Sequence, residues 1–400
     1  KGFGVRLTPG GRAYIAQAKV DGKTRRVTLG SHGKITAAQA RTAAKRELAA
    51  MAGGTDPAAE KRRRAALGIT LQEVAESYLE LRQTKDGRRL KDSTRADITK
   101  HLERTFADWR HRPVVEITRD MVLRRYAERC NRPLPNRPRS KPSVAQANQA
   151  FRILHALIGY AAATHRKPDG ARIIADNPVD ALKEASVART LEDRTSKVPP
   201  DKLGAWWAAV EDRRADPGLT TASRAAVDMV RFLALTGLRL NEARTLRWES
   251  VNLADQSFQL HDPKNRRAIT LPLSDAAHAV LSDRPQSGDW VFPARSGDGP
   301  LNDCRGQLEI IAEETGIRAT PHDLRRTFIQ TGLNELTLEL WRVKALSNHK
   351  FKNDVTLNTY ADLFDVRFLR DEANKIGEHY QQQAAAHRAG NVVPLRGALA

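Results

Sequence analysis

The stretch Thr320-Pro321-His322-Asp323-Leu324-Arg325-Arg326-Thr327 opens a helix and places cationic chemistry on one side of it. Threonine is a good N-cap, and proline suits the first helical position because the N–H it lacks has no helical partner there. His322 and Arg325, three residues apart, then share a face roughly opposite Leu324 and Phe328. Working outward, Thr236-Gly237-Leu238-Arg239-Leu240-Asn241-Glu242-Ala243 carries a glycine that permits a tight turn into a short helix. Arg239 and Glu242 are also three apart, so the carboxylate can orient the guanidinium. Asp262-Pro263-Lys264-Asn265-Arg266-Arg267 lies between two strand-like runs, Ser257 to His261 and Ala268 to Leu271, where a hairpin tip extends a lysine into a cleft. Leu346-Ser347-Asn348-His349 is followed eleven residues on by Tyr360.

Each segment alone has an ordinary explanation: a surface ion pair, a solvated lysine at a turn, a half-buried tyrosine. Together and in this order they fit one reaction. In-line displacement at a phosphodiester needs a nucleophile, charge neutralisation at the non-bridging oxygens and a proton for the leaving oxygen. Arg239 and Arg325 suit the oxygens, each able to donate two hydrogen bonds. A tyrosine hydroxyl, with a reference pKa near ~10, needs help to become a phenolate, and the arginine field with His322 as base can give it.

The ordered set Arg239, Lys264, His322-x-x-Arg325, His349, Tyr360 resembles the signature of the tyrosine recombinase (phage integrase) family across residues 200 to 380. The resemblance implies a covalent 3'-phosphotyrosine link at Tyr360, Lys264 as general acid on the 5'-oxygen, and His349 hydrogen-bonded to the scissile phosphate. Ser347-Asn348-His349 stands where many members have Leu-Gly-His, and the interval from His349 to Tyr360 is longer than is common. Tyr380 is the rival nucleophile, 31 residues past His349 on an expected terminal helix. The remaining tyrosines, Tyr14, Tyr78, Tyr126 and Tyr160, read as packing residues.

The expected fold is mainly α with small β elements (α+β). Val5 to Leu29, punctuated by Pro9-Gly10-Gly11 and Asp21-Gly22, reads as a three-stranded antiparallel sheet, and a helix follows from Thr36 to the stop at Gly53-Gly54. Residues 70 to 185 read as a bundle of four or five helices, interrupted by the proline-rich basic stretch Arg132 to Pro142. The division is 1–66, an arm-type DNA-binding module and linker; 67–185, a helical core-site DNA-binding domain; 186–199, a linker; 200–385, a mostly helical catalytic domain with a short strand pair; and 386–400, a tail. The first two roles come from the resemblance. The terminal segment Asp365 to Gln383 either packs on its own domain or docks on a neighbour.

Charge divides the chain in the same places. Residues 1–66 hold 15 basic against 4 acidic residues and 67–197 hold 26 against 17, whereas 198–400 hold 26 of each. The net +20 therefore sits wholly in the first half and points to a polyanion. Candidate DNA contacts are Arg12, Lys23, Arg25 and Arg26 in the sheet, Arg62 and Arg63 in the linker, and Arg137, Arg139 and Lys141 in the basic loop.

No apolar run is long enough for a membrane helix, since Ala225 to Leu238 is cut by Asp228 and Arg231. The opening Lys1-Gly2-Phe3-Gly4 has no signal-peptide character, and the absence of an initiator Met leaves room for residues upstream. Two cysteines, Cys130 and Cys304, make neither a disulfide framework nor a zinc site, and a reducing cytoplasm fits. No phosphate-cradling Gly-rich loop and no close His/Asp/Glu cluster is visible, so neither metal nor cofactor is expected. The resemblance implies double-stranded attachment-site DNA as partner, a homotetramer on paired sites, an excision factor and a host DNA-bending protein. A type IB topoisomerase and a catalytically silent DNA-binding regulator are the competing readings.

Overall fold

The computed structural model describes residues 2–9, 11–57, 67–84, 87–133, 142–167, 170–191, 195–261, 268–349 and 365–390. Arg62, Arg63, Arg137, Arg139, Lys141, Lys264 and Tyr360 lie outside the described residues, as does the tail beyond 390. The fold is mostly helical with two small three-stranded sheets, in agreement with the mainly α reading. It divides into two compact units, Lys1–Asp193 and Arg194–Ala400.

The first unit begins with β1 (Phe3–Thr8), β2 (Gly11–Val20) and β3 (Lys23–Ser31), an antiparallel sheet in the order β1-β2-β3. Alternation along β2 sends Tyr14, Ala16 and Val20 into the core, where Ala40, Ala44 and Met51 of α1 (Ala37–Ala52) meet them. Thr36 and Gln39 form a reciprocal capping box at the start of that helix. The bundle that follows comprises α2 (Leu71–Leu81), α3 (Asp92–Arg104), α4 (Arg119–Asn131), α5 (Val144–Thr164) and the short α6 (Ala181–Glu184). Thr70, Thr118 and Ser143 cap α2, α4 and α5. Phe151 anchors the bundle core, with Phe106 and Tyr126 each edge-on to its ring at 5.4 Å.

The second unit is built on α7 (Leu203–Ala215), α8 (Thr221–Thr236) and α9 (Leu240–Arg244). β4 (Val251–Asn252), β5 (Ser257–Leu260) and β6 (Ile269–Pro272) then form an antiparallel sheet. The expected strand pair is thus a three-stranded sheet, because β4 is two residues long and shows no periodicity of its own. Next come α10 (Asp275–Ser282), α11 (Arg305–Thr315), α12 (Pro321–Gln330), α13 (Leu340–Leu346) and α14 (Arg370–Arg388). Beyond Gln330 the α12 path widens into a π-type turn, Thr331–Glu335, and Gly332 lets Val343 of α13 pack closely against it.

The terminal helix packs on its own domain. Ile376 and Tyr380 of α14 are buried, and the Tyr380 ring stands edge-on to Trp207 of α7 at 5.3 Å. The two helices approach so closely that a Cβ at Gly204 would overlap the Gln383 carbonyl. Among the described residues no helix is long and apolar enough to cross a membrane.

The close approach at Gly204 yields a prediction. A bulkier side chain there must separate α7 from α14, and overpacking of this kind costs typically 1–3 kcal/mol. Gly204→Val should lower stability by about that much in urea denaturation, whereas an unchanged midpoint would mean that α14 does not rest on α7.

Candidate active site

Local sequence explains how each cation is positioned. α8 ends at Gly237 with φ +62°, a left-handed conformation, and a Cβ there would come within 2.5 Å of the Phe328 ring. The turn frees the Gly237 carbonyl and sends the chain through Leu238 to Arg239, directly before α9. Glu242, 7% exposed, serves both ends of this turn. Its Oε2 accepts from the Arg239 backbone N–H at 3.0 Å, and its Oε1 accepts from Arg239 Nη1 at 2.8 Å.

α12 is fixed by the expected cap. Thr320 and Asp323 form a reciprocal capping box, and Pro321 occupies the first turn. Asp323 also accepts from Ser196 Oγ at 2.8 Å and Arg326 Nη1 at 3.0 Å, which ties the helix start to the chain entering this unit. Arg325, two residues on, is 2% exposed. Its Nη1 donates to the Gly237 carbonyl at 2.7 Å, and its Nη2 lies 3.1 Å from the His349 ring nitrogens.

His349 follows α13 through Asn348, whose φ of +49° lies in the left-handed region. Glycine adopts that conformation freely and asparagine better than most other residues, which accounts for asparagine where many family members have glycine. The Asn348 carbonyl accepts from Arg239 Nη1 at 3.3 Å. Arg239, Glu242, Arg325 and His349, drawn from three separate helical segments, therefore form one connected group.

Electrostatics follow from this crowding. Burial and the neighbouring Arg239 pull the Arg325 pKa down to about 10, so the guanidinium stays charged at neutral pH. Burial, then Arg325 and Arg239, push His349 down to about 4. His322 is lowered by burial and by Arg326 and Arg325, with Asp323 opposing. Both imidazoles are thus neutral near pH 7 among fixed cations, an arrangement that receives an anion and leaves His322 free to accept a proton.

Of the expected catalytic residues, Arg239, Arg325 and His349 come together with Glu242, and His322 lies within their electrostatic reach. Tyr380, the rival nucleophile, is fully buried, and burial pushes its phenol pKa up, which disfavours the phenolate.

In the N-terminal sheet, only Arg26 of the four candidate DNA contacts lies on the face away from α1, where it donates to Gln17 Oε1 at 2.8 Å. Arg25 faces the α1 side and pairs with Asp56 at 2.6 Å, and the register puts Arg12 and Lys23 on that side too. The open face also carries Arg6 and Lys19, which a strict reading of the two-residue period would have found.

Two segments of the chain match known protein families. Residues 216–367 match the phage integrase family and residues 1–64 match the arm DNA-binding domain family. The prophage integrase IntZ of Escherichia coli (strain K12) is 28% identical over 319 residues, spanning 77% of this chain and 71% of that protein. The prophage integrase IntF of the same strain is 26% identical over 367 residues, spanning 81% and 73%. The fold resembles a lambda integrase dimer bound to a COC' core site, with TM-score 0.51, 16% identity and coverage of 92% of this chain and 94% of that one. It also resembles the Tn1549 transposon integrase in complex with transposon right end DNA, with TM-score 0.53, 15% identity and coverage of 73% and 95%. The match of the catalytic unit marks the chain as a tyrosine-type site-specific recombinase. Within that class, residues 216–367 match the phage integrase family, and residues 1–64 match the arm DNA-binding domain family.

The depressed His349 pKa gives a pH prediction. An unfolded imidazole takes its proton near the reference value of 6.5, while His349 in the fold waits until about 4. Between those values the unfolded chain binds the extra proton, so this contribution to stability is complete above pH 6.5 and is lost as pH falls toward 4. His349→Gln should therefore lose less stability than the parent between pH 7 and 5 in urea titrations, and equal losses would contradict a buried, neutral imidazole.

Proposed function

We propose that this integrase cuts and rejoins DNA through a covalent 3'-phosphotyrosine at Tyr360 to integrate and excise a mobile element. His322 takes the phenol proton, and the phenolate attacks phosphorus as the bond to the 5'-oxygen breaks. Lys264 protonates that oxygen as it leaves. Arg239 and Arg325 neutralise the non-bridging oxygens, and His349 donates a hydrogen bond to them. The phosphotyrosine conserves the energy of the phosphodiester, so religation to a second strand needs no added energy source. The observation that carries this reading is the convergence of two arginines and a histidine, with Glu242 holding Arg239, in one cationic group whose free donors suit a phosphate.

In this reading, residues 1–66 bind arm-type sites through the open face of the sheet, with Arg6, Lys19 and Arg26 meeting phosphates. Residues 67–185 hold the core site, 186–199 link the units, and 200–385 cut. The basic residues Arg62, Arg63, Arg137, Arg139 and Lys141 add phosphate contacts. One solved relative is a lambda integrase tetramer bound to a Holliday junction, and a homotetramer on paired sites is the proposed assembly here. An excision factor and a host DNA-bending protein complete the proposal, and the working compartment is the cytoplasm at the nucleoid.

The test is an SDS-resistant adduct on a nicked suicide duplex carrying the element's junction sequence. Tyr360→Phe should abolish the adduct while leaving DNA affinity intact, and Arg239→Ala should slow its formation by at least about 100-fold. An adduct that survives Tyr360→Phe would remove Tyr360 from the mechanism. For the sheet, Arg26→Ala should reduce the salt slope of arm-site binding by about one, and an unchanged slope would take Arg26 off the phosphate backbone.

A further inference from the structure

Ser347 is fully buried at the end of α13, beside the site but unused by the mechanism above. Its Oγ donates to the Val343 carbonyl at 2.8 Å and lies 2.9 Å from His349 Nδ1. With its own proton committed to Val343, the hydroxyl offers Nδ1 a lone pair, so Nδ1 must carry the ring proton. Arg325 Nη2 lies 3.1 Å from both ring nitrogens, over the ring and off the axis of either lone pair, so this contact does not choose between them. A neutral imidazole carries one ring proton, so Nδ1–H leaves Nε2 bare. Ser347 is the contact that selects this tautomer.

We propose that Ser347 is a positioning residue that holds His349 in the Nδ1–H tautomer, so that docking of the scissile phosphate is coupled to uptake of one proton at Nε2. The inference rests on the reading of His349 as a phosphate-binding group. In the free chain, the Arg325 guanidinium packs against the neutral ring, and Nε2 carries no proton. To donate to a phosphate oxygen, Nε2 must first gain a proton, and with Nδ1–H already committed the proton comes from solvent and yields an imidazolium. The groups that bear on His349 are Arg325, Arg239, Lys344 and His322, all of which hold its proton affinity down. An arriving phosphodiester supplies the anion that offsets them. Leucine at this position, as in many family members, has no group with which to select a tautomer.

Two measurements test this on the full chain. In 15N-histidine NMR of the free protein at neutral pH, the His349 resonance, assigned by its loss in His349→Gln, should show a protonated Nδ1 and a bare Nε2. Ser347→Ala should shift the ring toward the Nε2–H tautomer, and Ser347→Thr, which keeps the hydroxyl, should restore the original form. A wild-type ring protonated at Nε2, or a tautomer that ignores Ser347→Ala, overturns the proposal. In calorimetry of core-site DNA binding in buffers of different ionisation enthalpy, Tyr360→Phe protein should take up close to one proton at pH 7. Adding His349→Gln should abolish that uptake, which separates His349 from His322, and uptake that persists overturns the coupling. Single-turnover cleavage by Ser347→Ala should fall roughly 10-fold, by analogy with the loss of a metal-bound histidine's hydrogen-bond partner. His349→Gln cleaving at the parental rate would sink the phosphate-binding reading itself while leaving the tautomer result standing.

Discussion

A guanidinium sealed from water without a carboxylate is expensive, and the second unit is arranged around one. Among the described residues no carboxylate pairs with Arg325, whose hydrogen bonds go to the Gly237 carbonyl and the His349 ring. Burying an ion costs several kcal/mol even after relaxation, and two neutral acceptors recover only part of that. Several local features follow from holding this charge. Gly237 must be left-handed to aim its carbonyl, its lack of a side chain admits Phe328, and the Thr320 cap with Pro321 sets the helical phase that carries Arg325 inward. Burial, then the surrounding cations, keep His349 neutral, so the ring adds no second charge beside Arg325.

A second buried arginine shows why this arrangement reads as functional. Arg284 is as well covered as many core residues, and burial lowers its pKa too. Yet Arg284 pairs with Asp228 at 2.8 Å, donates to the Val291 carbonyl at 2.7 Å and lies over the Phe292 ring. Asp228 is bound in turn by Arg214 at 2.5 Å. That network closes on itself and needs nothing from outside. Around Arg325 the charges do not close: the nearby Glu242 is committed to Arg239, and among the described residues no carboxylate pairs with Arg325. Lowered pKa values alone would not separate the two cases, because structural networks perturb them as well. The discriminating fact is that Arg284 has a carboxylate partner, whereas among the described residues Arg325 has none.

Much of this was legible in the sequence, and the failures have physical causes. Caps made helices readable: Thr36 and Thr320 each accept from the first-turn amide expected of an N-cap, and five helices fill the bundle between 70 and 185. The glycine turn before Arg239 and the Arg239–Glu242 pairing were also visible, because both are local. β4 was not, since two residues carry no period and the strand exists only through pairing with β5. The arm-module arginines were chosen for charge and not for phase. A one-residue step separates Arg26 on the open face from Arg25 on the helix side, and only the register decides between them. Choosing Tyr360 over Tyr380 rested on spacing, whereas burial of Tyr380 against Trp207 is a long-range fact available only from the fold.

The departure Ser347-Asn348 repays the same attention to phase. A glycine at 348 would satisfy the left-handed turn at less conformational strain but would add no polar side chain. Asparagine tolerates the turn and directs its amide toward Glu242 Oε1, at 3.5 Å, while its carbonyl receives Arg239. Ser347, one residue earlier, faces His349 instead. Consecutive residues on one turn thus reach the two halves of the cationic group, Ser347 through His349 to Arg325 and Asn348 through Glu242 to Arg239. Polar groups so deeply buried are destabilising unless their partners are fixed, and here those partners include His349, Arg239 and Glu242 of the site. The turn therefore links its own polar contacts to both arginines, through the Asn348 carbonyl to Arg239 and through the His349 ring to Arg325.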